Sequence, residues 1–284
     1  MSNNENKAIT PFIKWAGGKR GLISQILPHL PQNFNNYFEP FVGSGAFFFA
    51  LYNLGMLKNK KVYLFDKNKE LINTYNIIKN NPNELIKQLK EFQIKHSKEF
   101  YYQIRELDRD KNYHTFSPVL KAARFIYLNK TCFNGLYRVN KKGFFNVPIG
   151  KYKNPKILDE ENILLVSNAL QNTEIICCDF SEISNYIEKN DFVYFDPPYY
   201  PINETSNFTS YTPDIFLGEE HKRLQNLFKK LTKRSIFAMQ SNSDTEFIKN
   251  LYKNYNIINI QANRFINSKS EKRGKINELL ILNY

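Results

Sequence analysis

Seven short runs of β-branched, aromatic and aliphatic residues recur along this chain: Tyr37–Val42, Val62–Asp66, Glu174–Cys178, Phe192–Asp196, Ser235–Gln240, Ile257–Gln261 and Glu278–Leu282. Each is five or six residues long, which suits a buried strand and is too short for a buried helix. Helical spacing fills the gaps. Leu224, Leu227, Phe228 and Leu231 follow the i, i+3, i+4, i+7 rule of an amphipathic helix. Strands alternating with helices predict an α/β fold: a mostly parallel sheet covered on both faces. In such sheets a ligand sits beyond the carboxyl ends of the strands.

One segment breaks this rhythm. From about 80 to 168 there are helical patterns, Glu84–Gln93 and Pro118–Lys130 among them, then an irregular stretch bearing Gly, Asn and Pro. No clean βα unit occurs there. This predicts a mainly helical insertion at 80–168, dividing the sheet domain into 1–79 and 169–284. A length of 284 residues accommodates one such domain with its insertion.

The chain carries 40 Lys+Arg against 27 Asp+Glu, a formal charge of +13. Such a balance points to a polyanionic partner, although the base composition of an AT-rich genome explains high Lys equally well. Its distribution says more. Between Lys130 and Ile157 stand seven basic residues (Lys130, Arg138, Lys141, Lys142, Lys151, Lys153, Lys156) and no acidic one. Phe133, Tyr137, Phe144, Phe145 and Tyr152 are interleaved with them. Rings between cations are what a nucleic-acid contact needs. A second basic cluster, Lys269, Lys272, Arg273 and Lys275, is a weak signal alone.

Other classes are disfavoured. Cys132, Cys177 and Cys178 offer no CxxC spacing, and His29, His96, His114 and His221 are scattered, so no metal is expected. A disulfide scaffold does not suit so large a chain with so few cysteines. No signal peptide and no run of about eighteen apolar residues is found, so no membrane partner is expected. A cytoplasmic location follows.

The strongest local signal is Asp196-Pro197-Pro198-Tyr199, at the carboxyl end of a strand candidate. Two prolines cannot donate backbone hydrogen bonds and stiffen the exit from the sheet. Free carbonyls beside a carboxylate suit a planar amino group, and Tyr199 supplies a flat face. The bland reading is a proline-stiffened strand exit. A second signal is the run Phe38-Glu39-Pro40-Phe41-Val42-Gly43-Ser44-Gly45-Ala46, a strand entering a Gly-x-Gly turn before an apolar helix, Phe47–Leu51. Glycines permit close backbone approach to a ligand. The third glycine of the dinucleotide fingerprint is missing, since position 48 is Phe. Asp66 ends the next strand, where an acidic residue takes ribose hydroxyls. It also precedes the helical pattern Glu70–Ile78 and suits an N-cap. In Lys14-Trp15-Ala16-Gly17-Gly18-Lys19-Arg20 a phosphate loop is excluded, because Ile13 and Arg20 stand where that motif needs Gly and Ser/Thr. A Gly17-Gly18 turn presenting Lys19 to a carboxylate remains, with Trp15 as a pocket wall or, read alone, a core residue.

With these residues in hand, the chain resembles the alpha-class DNA adenine-N6 methyltransferases, the GATC-methylating family, and most of all the GATC methylases of type II restriction–modification systems. The resemblance runs through KWAGGKR, FEPFVGSGA, Asp66, NGLYRVN, FNVPIGKY, DPPYY and SNFTSYT, in the family's order. It implies a Rossmann-like S-adenosyl-L-methionine-dependent sheet with a reversed hairpin near its end, and S-adenosyl-L-homocysteine as product. In the family's motifs Trp15 and Lys19 contact the cofactor, as do Gly17 and Gly18 of the same motif. The turn containing Glu39, Phe41, Gly43 and Gly45 covers its methionine part. Asp66 takes the ribose, Asp179 and Phe180 flank the adenine, and Asp196 adjoins both cofactor and target base.

The insertion corresponds to a target recognition domain. Leu136 then wedges beside the target base pair, Arg138 reads a guanine, and Phe133 stands where relatives intercalate a ring. Lys14, Asn134, Pro148 and Tyr152 match other DNA-contacting positions. Lys151 departs from the Arg of some relatives and would grip a phosphate less well. The implied partners are double-stranded DNA and, in a restriction–modification pair, a restriction endonuclease acting on the same site, with no direct contact implied.

The implied reaction is methyl transfer to N6 of a flipped adenine, with Asp196, Pro197, Pro198 and Tyr199 at the reacting atoms. Rivals fare worse. A cytosine-C5 methylase needs a Pro-Cys nucleophile, which is missing. Cytosine-N4 and protein-glutamine methylases more often carry Ser or Asn in place of Asp196. An RNA adenine methyltransferase would be equally basic. A catalytically silent nucleic-acid-binding module has no use for an intact DPPY loop.

Overall fold

Along β4 (Phe192–Phe195) successive side chains enter opposite cores: Phe192 and Tyr194 join one buried cluster, Val193 and Phe195 the other. This period-2 alternation with both sets apolar is what a sheet covered on both faces requires. The structure is a computed structural model, and it describes residues 7–15, 17, 19–202, 216–263 and 275–284. Its sheet has seven strands in the order β3-β2-β1-β4-β5-β7-β6. The others are β1 (Tyr37–Glu39), β2 (Val62–Asp66), β3 (Thr173–Cys177), β5 (Phe237–Ser243), β6 (Asn256–Asn263) and β7 (Lys275–Leu282). The first five run parallel to their neighbours. Only β7 is reversed, antiparallel to both β5 and β6. This is the mixed α/β, Rossmann-like sheet expected from the sequence, reversed hairpin included.

All seven strands lie where the apolar runs placed them, with shifted ends. β1 stops at Glu39 because Pro40 cannot donate to a neighbouring strand. β5 starts two residues late, since Ser235 turns with φ 56°. It then continues through the buried polar residues Gln240, Ser241, Asn242 and Ser243, which pair in register with Ile281, Leu280, Leu279 and Glu278 of β7. A hydropathy reading cannot see a strand made of amides and hydroxyls.

The helices are α1 (Ile23–Ile26), α2 (Ala46–Asn53), α3 (Lys69–Asn80), α4 (Pro82–Ile94), α5 (Lys98–Glu106), α6 (Pro118–Thr131), α7 (Glu160–Leu170), α8 (Gly218–Lys233) and α9 (Glu246–Leu251). Asn68, Ser97, Ser117 and Thr245 cap α3, α5, α6 and α9 through side-chain acceptors. The cap suggested for Asp66 is instead Asn68, because β2 runs to Asp66 and the helix begins only at Lys69. On one face, α8 and α9 bury Leu224, Leu227, Phe228, Leu231, Ile248 and Tyr252 against Phe38, Phe65 and Val193. On the other, Leu71 and Tyr75 of α3 pack in one cluster with Leu85 and Leu89 of α4 and Phe125 and Tyr127 of α6. Residues between α3 and β3 add no strand to the sheet. Their core is continuous with that of the sheet, and each fully buried ring in it contributes about 2–3 kcal/mol. Among the described residues no helix is long and apolar enough to cross a membrane.

Glu39 ends β1 buried, with the Tyr37 hydroxyl donating to its Oε2 at 2.7 Å. Burial pushes its carboxyl from 4.5 up to about 8, the phenol hydrogen bond opposing. A carboxyl raised in the folded state stabilises most below its unfolded value and withdraws stability as pH rises through the folded one. Wild-type stability should therefore fall between pH 4.5 and about 8. Glu39→Gln, which keeps an acceptor for Tyr37, should flatten that slope in urea titrations across this range.

Candidate active site

β1 and β4 are adjacent and parallel, and the connections from them leave toward opposite edges of the sheet. At such a switch point the strand ends open a crevice. Glu39 leaves β1 into it, and Asp196 follows the last residue of β4. Lys19, only 3% exposed, reaches into it from the Gly17 turn. Its Nζ lies 2.9 Å from Asp196 Oδ1, donates to the Gly17 carbonyl at 2.7 Å and stands 4.5 Å over the Tyr199 ring. The expected presentation of Lys19 to a carboxylate is realised, and the carboxylate is that of the DPPY loop. Burial pushes Asp196 up to about 6, the Lys19 charge pulling it down and Glu278 adding to the rise.

The turn after β1 uses left-handed backbone at Gly43 (φ 48°) and Gly45 (φ 68°). A Cβ at Gly43 would stand 2.7 Å from the Trp15 indole, and one at Gly45 the same distance from the Tyr75 hydroxyl. Only glycine fits either place. Trp15 is half-buried, lying on this turn while stacking at 5.7 Å on Tyr137. Asp66 holds the turn from below: its Oδ2 accepts from the Gly43 N–H at 3.2 Å and its Oδ1 from Asn68 N–H at 2.9 Å. Burial pushes Asp66 up to about 6 against these hydrogen bonds.

Beyond the turn three rings meet. Phe41 lies 5.4 Å from Phe180 and 5.7 Å, edge-on, from Phe216. Asp179 accepts from the Ser181 N–H at 3.0 Å and pairs with Arg223, whose guanidinium lies 4.4 Å over Phe180. Glu39, Phe41, Gly43, Gly45, Asp66, Asp179 and Phe180 thus line one continuous rim of the sheet.

The loop after β4 is fixed by partners that sequence reasoning missed. The Tyr199 hydroxyl donates to Glu278 Oε2 on β7 at 2.6 Å. The Tyr200 N–H donates to Asn242 Oδ1 at 3.2 Å, and its carbonyl accepts from Ser243 Oγ at 2.7 Å. Both residues end β5, and Ser243 is the register partner of Glu278. A glutamate inside an apolar strand and a polar strand end were the available signals. Phe216 and Arg223 were missed as well, and nothing local marks them.

The basic, ring-bearing stretch forms a hairpin. Antiparallel bridges join Cys132 to Ile149 and Val139 to Phe145. The Phe133 N–H donates to the Pro148 carbonyl at 2.9 Å. Asn140 Oδ1 closes the tip by accepting from Lys142 and Phe144 N–H groups. Phe133 is 47% exposed, and Asn134, Arg138, Pro148, Lys151 and Tyr152 are exposed too, with Leu136 half-buried. Arg138 Nε donates to Asn146 Oδ1 at 2.9 Å. Lys14 joins this surface through Tyr152, its Nζ 3.3 Å from the hydroxyl. The hairpin is anchored from within: Arg124, buried, pairs with Asp108 at 2.7 Å, and Asp108 accepts from the Phe145 N–H at 2.8 Å. Arg109 donates to the Phe145 carbonyl at 2.9 Å. Gly18, the SNFTSYT motif, and Lys269, Lys272 and Arg273 lie outside the described residues. No His/Cys/Asp/Glu group able to hold a metal occurs among the described ones.

A family model of D12 class N6 adenine-specific DNA methyltransferases matches residues 15–266. The type II methyltransferase M.MjaIII of Methanocaldococcus jannaschii is 47% identical over 290 residues, covering 97% of this chain and 99% of that protein. The type II methyltransferase M1.LlaDCHI of Lactococcus lactis subsp. cremoris is 46% identical, with 97% and 96% covered. The DNA adenine methylase of Escherichia coli strain K12 is 35% identical, with 95% and 94% covered. The motifs at the rim of this sheet are thus carried by a chain that belongs to the D12 class N6 adenine-specific DNA methyltransferase family.

Proposed function

We propose that this chain methylates N6 of an adenine flipped out of double-stranded DNA, within GATC, in the cytoplasm. The observation that carries the reading is the Asp196-Pro197-Pro198-Tyr199 loop leaving β4 at the switch point, its carboxylate held by Lys19. Residues 80–168 act as the target recognition domain between catalytic parts 1–79 and 169–284. The names of two relatives as type II methyltransferases favour a restriction–modification pair, with an endonuclease of the same site as its other member.

The rim fits S-adenosyl-L-methionine. Gly43 and Gly45 let the turn run tightly beside the crevice, and Phe41 and Phe180 offer apolar walls. Asp66 and Asp179 supply acceptors for ribose and adenine, while Glu39 and Asp196 face the cationic end. Trp15, Gly17, Gly18 and Lys19 close the pocket. When bound, this cofactor supplies a methyl group on a sulfonium and leaves as S-adenosyl-L-homocysteine.

The adenine N6 lone pair is delocalised into its ring. Asp196 and the Pro197 carbonyl accept the two N6–H bonds and draw that pair toward the methyl group. Pro198 stiffens the loop, and the Tyr199 ring, its hydroxyl held by Glu278, stacks on the base. The methylated nitrogen sheds its proton to water, so no strong base is needed. Positioning and electrostatics supply the rate. Flipping the base costs a few kcal/mol, recovered through Lys14, Phe133, Asn134, Leu136, Arg138, Pro148, Lys151 and Tyr152.

Asp196→Ala should abolish methyl incorporation into a GATC oligonucleotide while DNA binding survives, and wild-type-like transfer would sink the reading. The ionised carboxylate is the stronger acceptor for N6–H, so kcat/KM should fall as pH drops through about 6. A profile flat from pH 5 to 8 would contradict that role. Arg138→Ala should lose roughly 1–3 kcal/mol of discrimination at one base pair, measured on oligonucleotides changed one position at a time.

A further inference from the structure

Asn129 sits in the last turn of α6, fully buried, where asparagine is a poor helix former and caps nothing. Both ends of its amide are used on segments outside the helix. Its Oδ1 accepts from the Lys14 N–H at 2.8 Å. Its Nδ2 donates to the Lys14 carbonyl at 2.8 Å and to the Gly135 carbonyl at 3.2 Å. One side chain therefore clamps both backbone groups of Lys14, its N–H and its carbonyl, and ties them to the hairpin base.

Both clamped segments need an outside hold. Asn134 and Gly135 are consecutive left-handed residues, φ 57° and 65°, a turn that costs a non-glycine residue about 1 kcal/mol or more. Gly135 lies under the Lys14 stem: a Cβ there would stand 2.4 Å from Lys14 Cδ. From Lys14 the chain continues into Trp15, stacked on Tyr137 and lying over Gly43. A shift of the Lys14 peptide would thus move the lysine over the hairpin and the indole over the turn after β1 together.

We propose that Asn129 is a positioning residue for sequence discrimination: its amide sets the register of Lys14 against Gly135, and so the presentation of Asn134, Leu136 and Arg138 to the bases. The inference rests on the reading of these residues as the DNA-contacting surface. Asn129 itself touches no base.

The test compares kcat/KM for methyl transfer to a GATC duplex with that for duplexes changed at one base pair. It uses the full chain as wild type, Asn129→Asp, Asn129→Ala and Arg138→Ala. Asn129→Asp keeps the shape and the acceptor for Lys14 N–H but turns an oxygen toward two carbonyls. Asn129→Ala removes the amide without adding charge. The ratio of two kcat/KM values does not depend on the fraction of active enzyme, so lost stability alone leaves it unchanged. The expected result is a discrimination ratio about tenfold lower in both Asn129 variants, comparable to loss of one base contact. Arg138→Ala with a relaxed ratio beside Asn129 variants at the wild-type ratio overturns this inference alone. A wild-type ratio in Arg138→Ala overturns the assignment of the DNA surface, and the inference falls with it.

Discussion

Three acidic side chains converge beneath one buried ammonium. Asp196 and Glu39 stand at the ends of the two central strands, Glu278 lies on β7, and Lys19 is the cation among them. Like charges this close in a poorly hydrated site cannot all remain ionised. The site resolves the conflict by giving each acid a different partner. Asp196 takes Lys19, Glu278 takes the Tyr199 phenol, and Glu39, which burial pushes up to about 8, keeps the Tyr37 phenol and the Phe48 N–H as donors. With Glu39 pushed up by burial, the charge beside Lys19 at the mouth of the crevice is that of Asp196. Such a crevice favours a cationic ligand and an N–H donor over an anionic substrate.

The same arrangement explains why the loop after β4 needs so much of the sheet. Tandem prolines make it stiff but donate nothing, so its hold comes from the residues that follow. Tyr199 reaches Glu278 on β7 and the Tyr200 carbonyl reaches Ser243 at the end of β5, positions that are register partners of one another. The reversed β7 brings Glu278 to the carboxyl end of β5, where a parallel strand would have needed another crossover to reach the same place. The hairpin at the sheet's edge is thus part of what holds the DPPY loop.

Legibility in the sequence followed from how local each feature is. Strands built of Phe, Val, Tyr and Ile were readable because hydropathy and β propensity agree, as in Phe192–Phe195. The polar half of β5 was not, because Gln240 to Ser243 are buried by their pairing with β7 rather than by their chemistry. The pairing of Lys19 with a carboxylate and the tight turn at Gly43 were legible because each belongs to a short motif run. Their partners Glu278, Asn242, Phe216, Arg223 and Asn129 come from distant segments, and only strand order and helix packing bring them near. Asp66 was read rightly as a strand-end acid and wrongly as a helix cap, a difference of two residues that Asn68 decides.

The insertion shows where the reading by segments stops being physical. It was legible as a break in the βα rhythm, which suggests a separate body attached by two connections. Its helices instead share one core with α3, and the buried Arg124–Asp108 pair carries the hairpin backbone on that core through Phe145. Breaking such a pair leaves a buried charge, at a cost of about 3–5 kcal/mol, so the hairpin is held against independent motion. Trp15 then spans the last gap, with the Gly43 turn on one side and Tyr137 on the other. Surface and crevice are separated by a single ring. The hairpin and the turn after β1 are thus packed against the same indole.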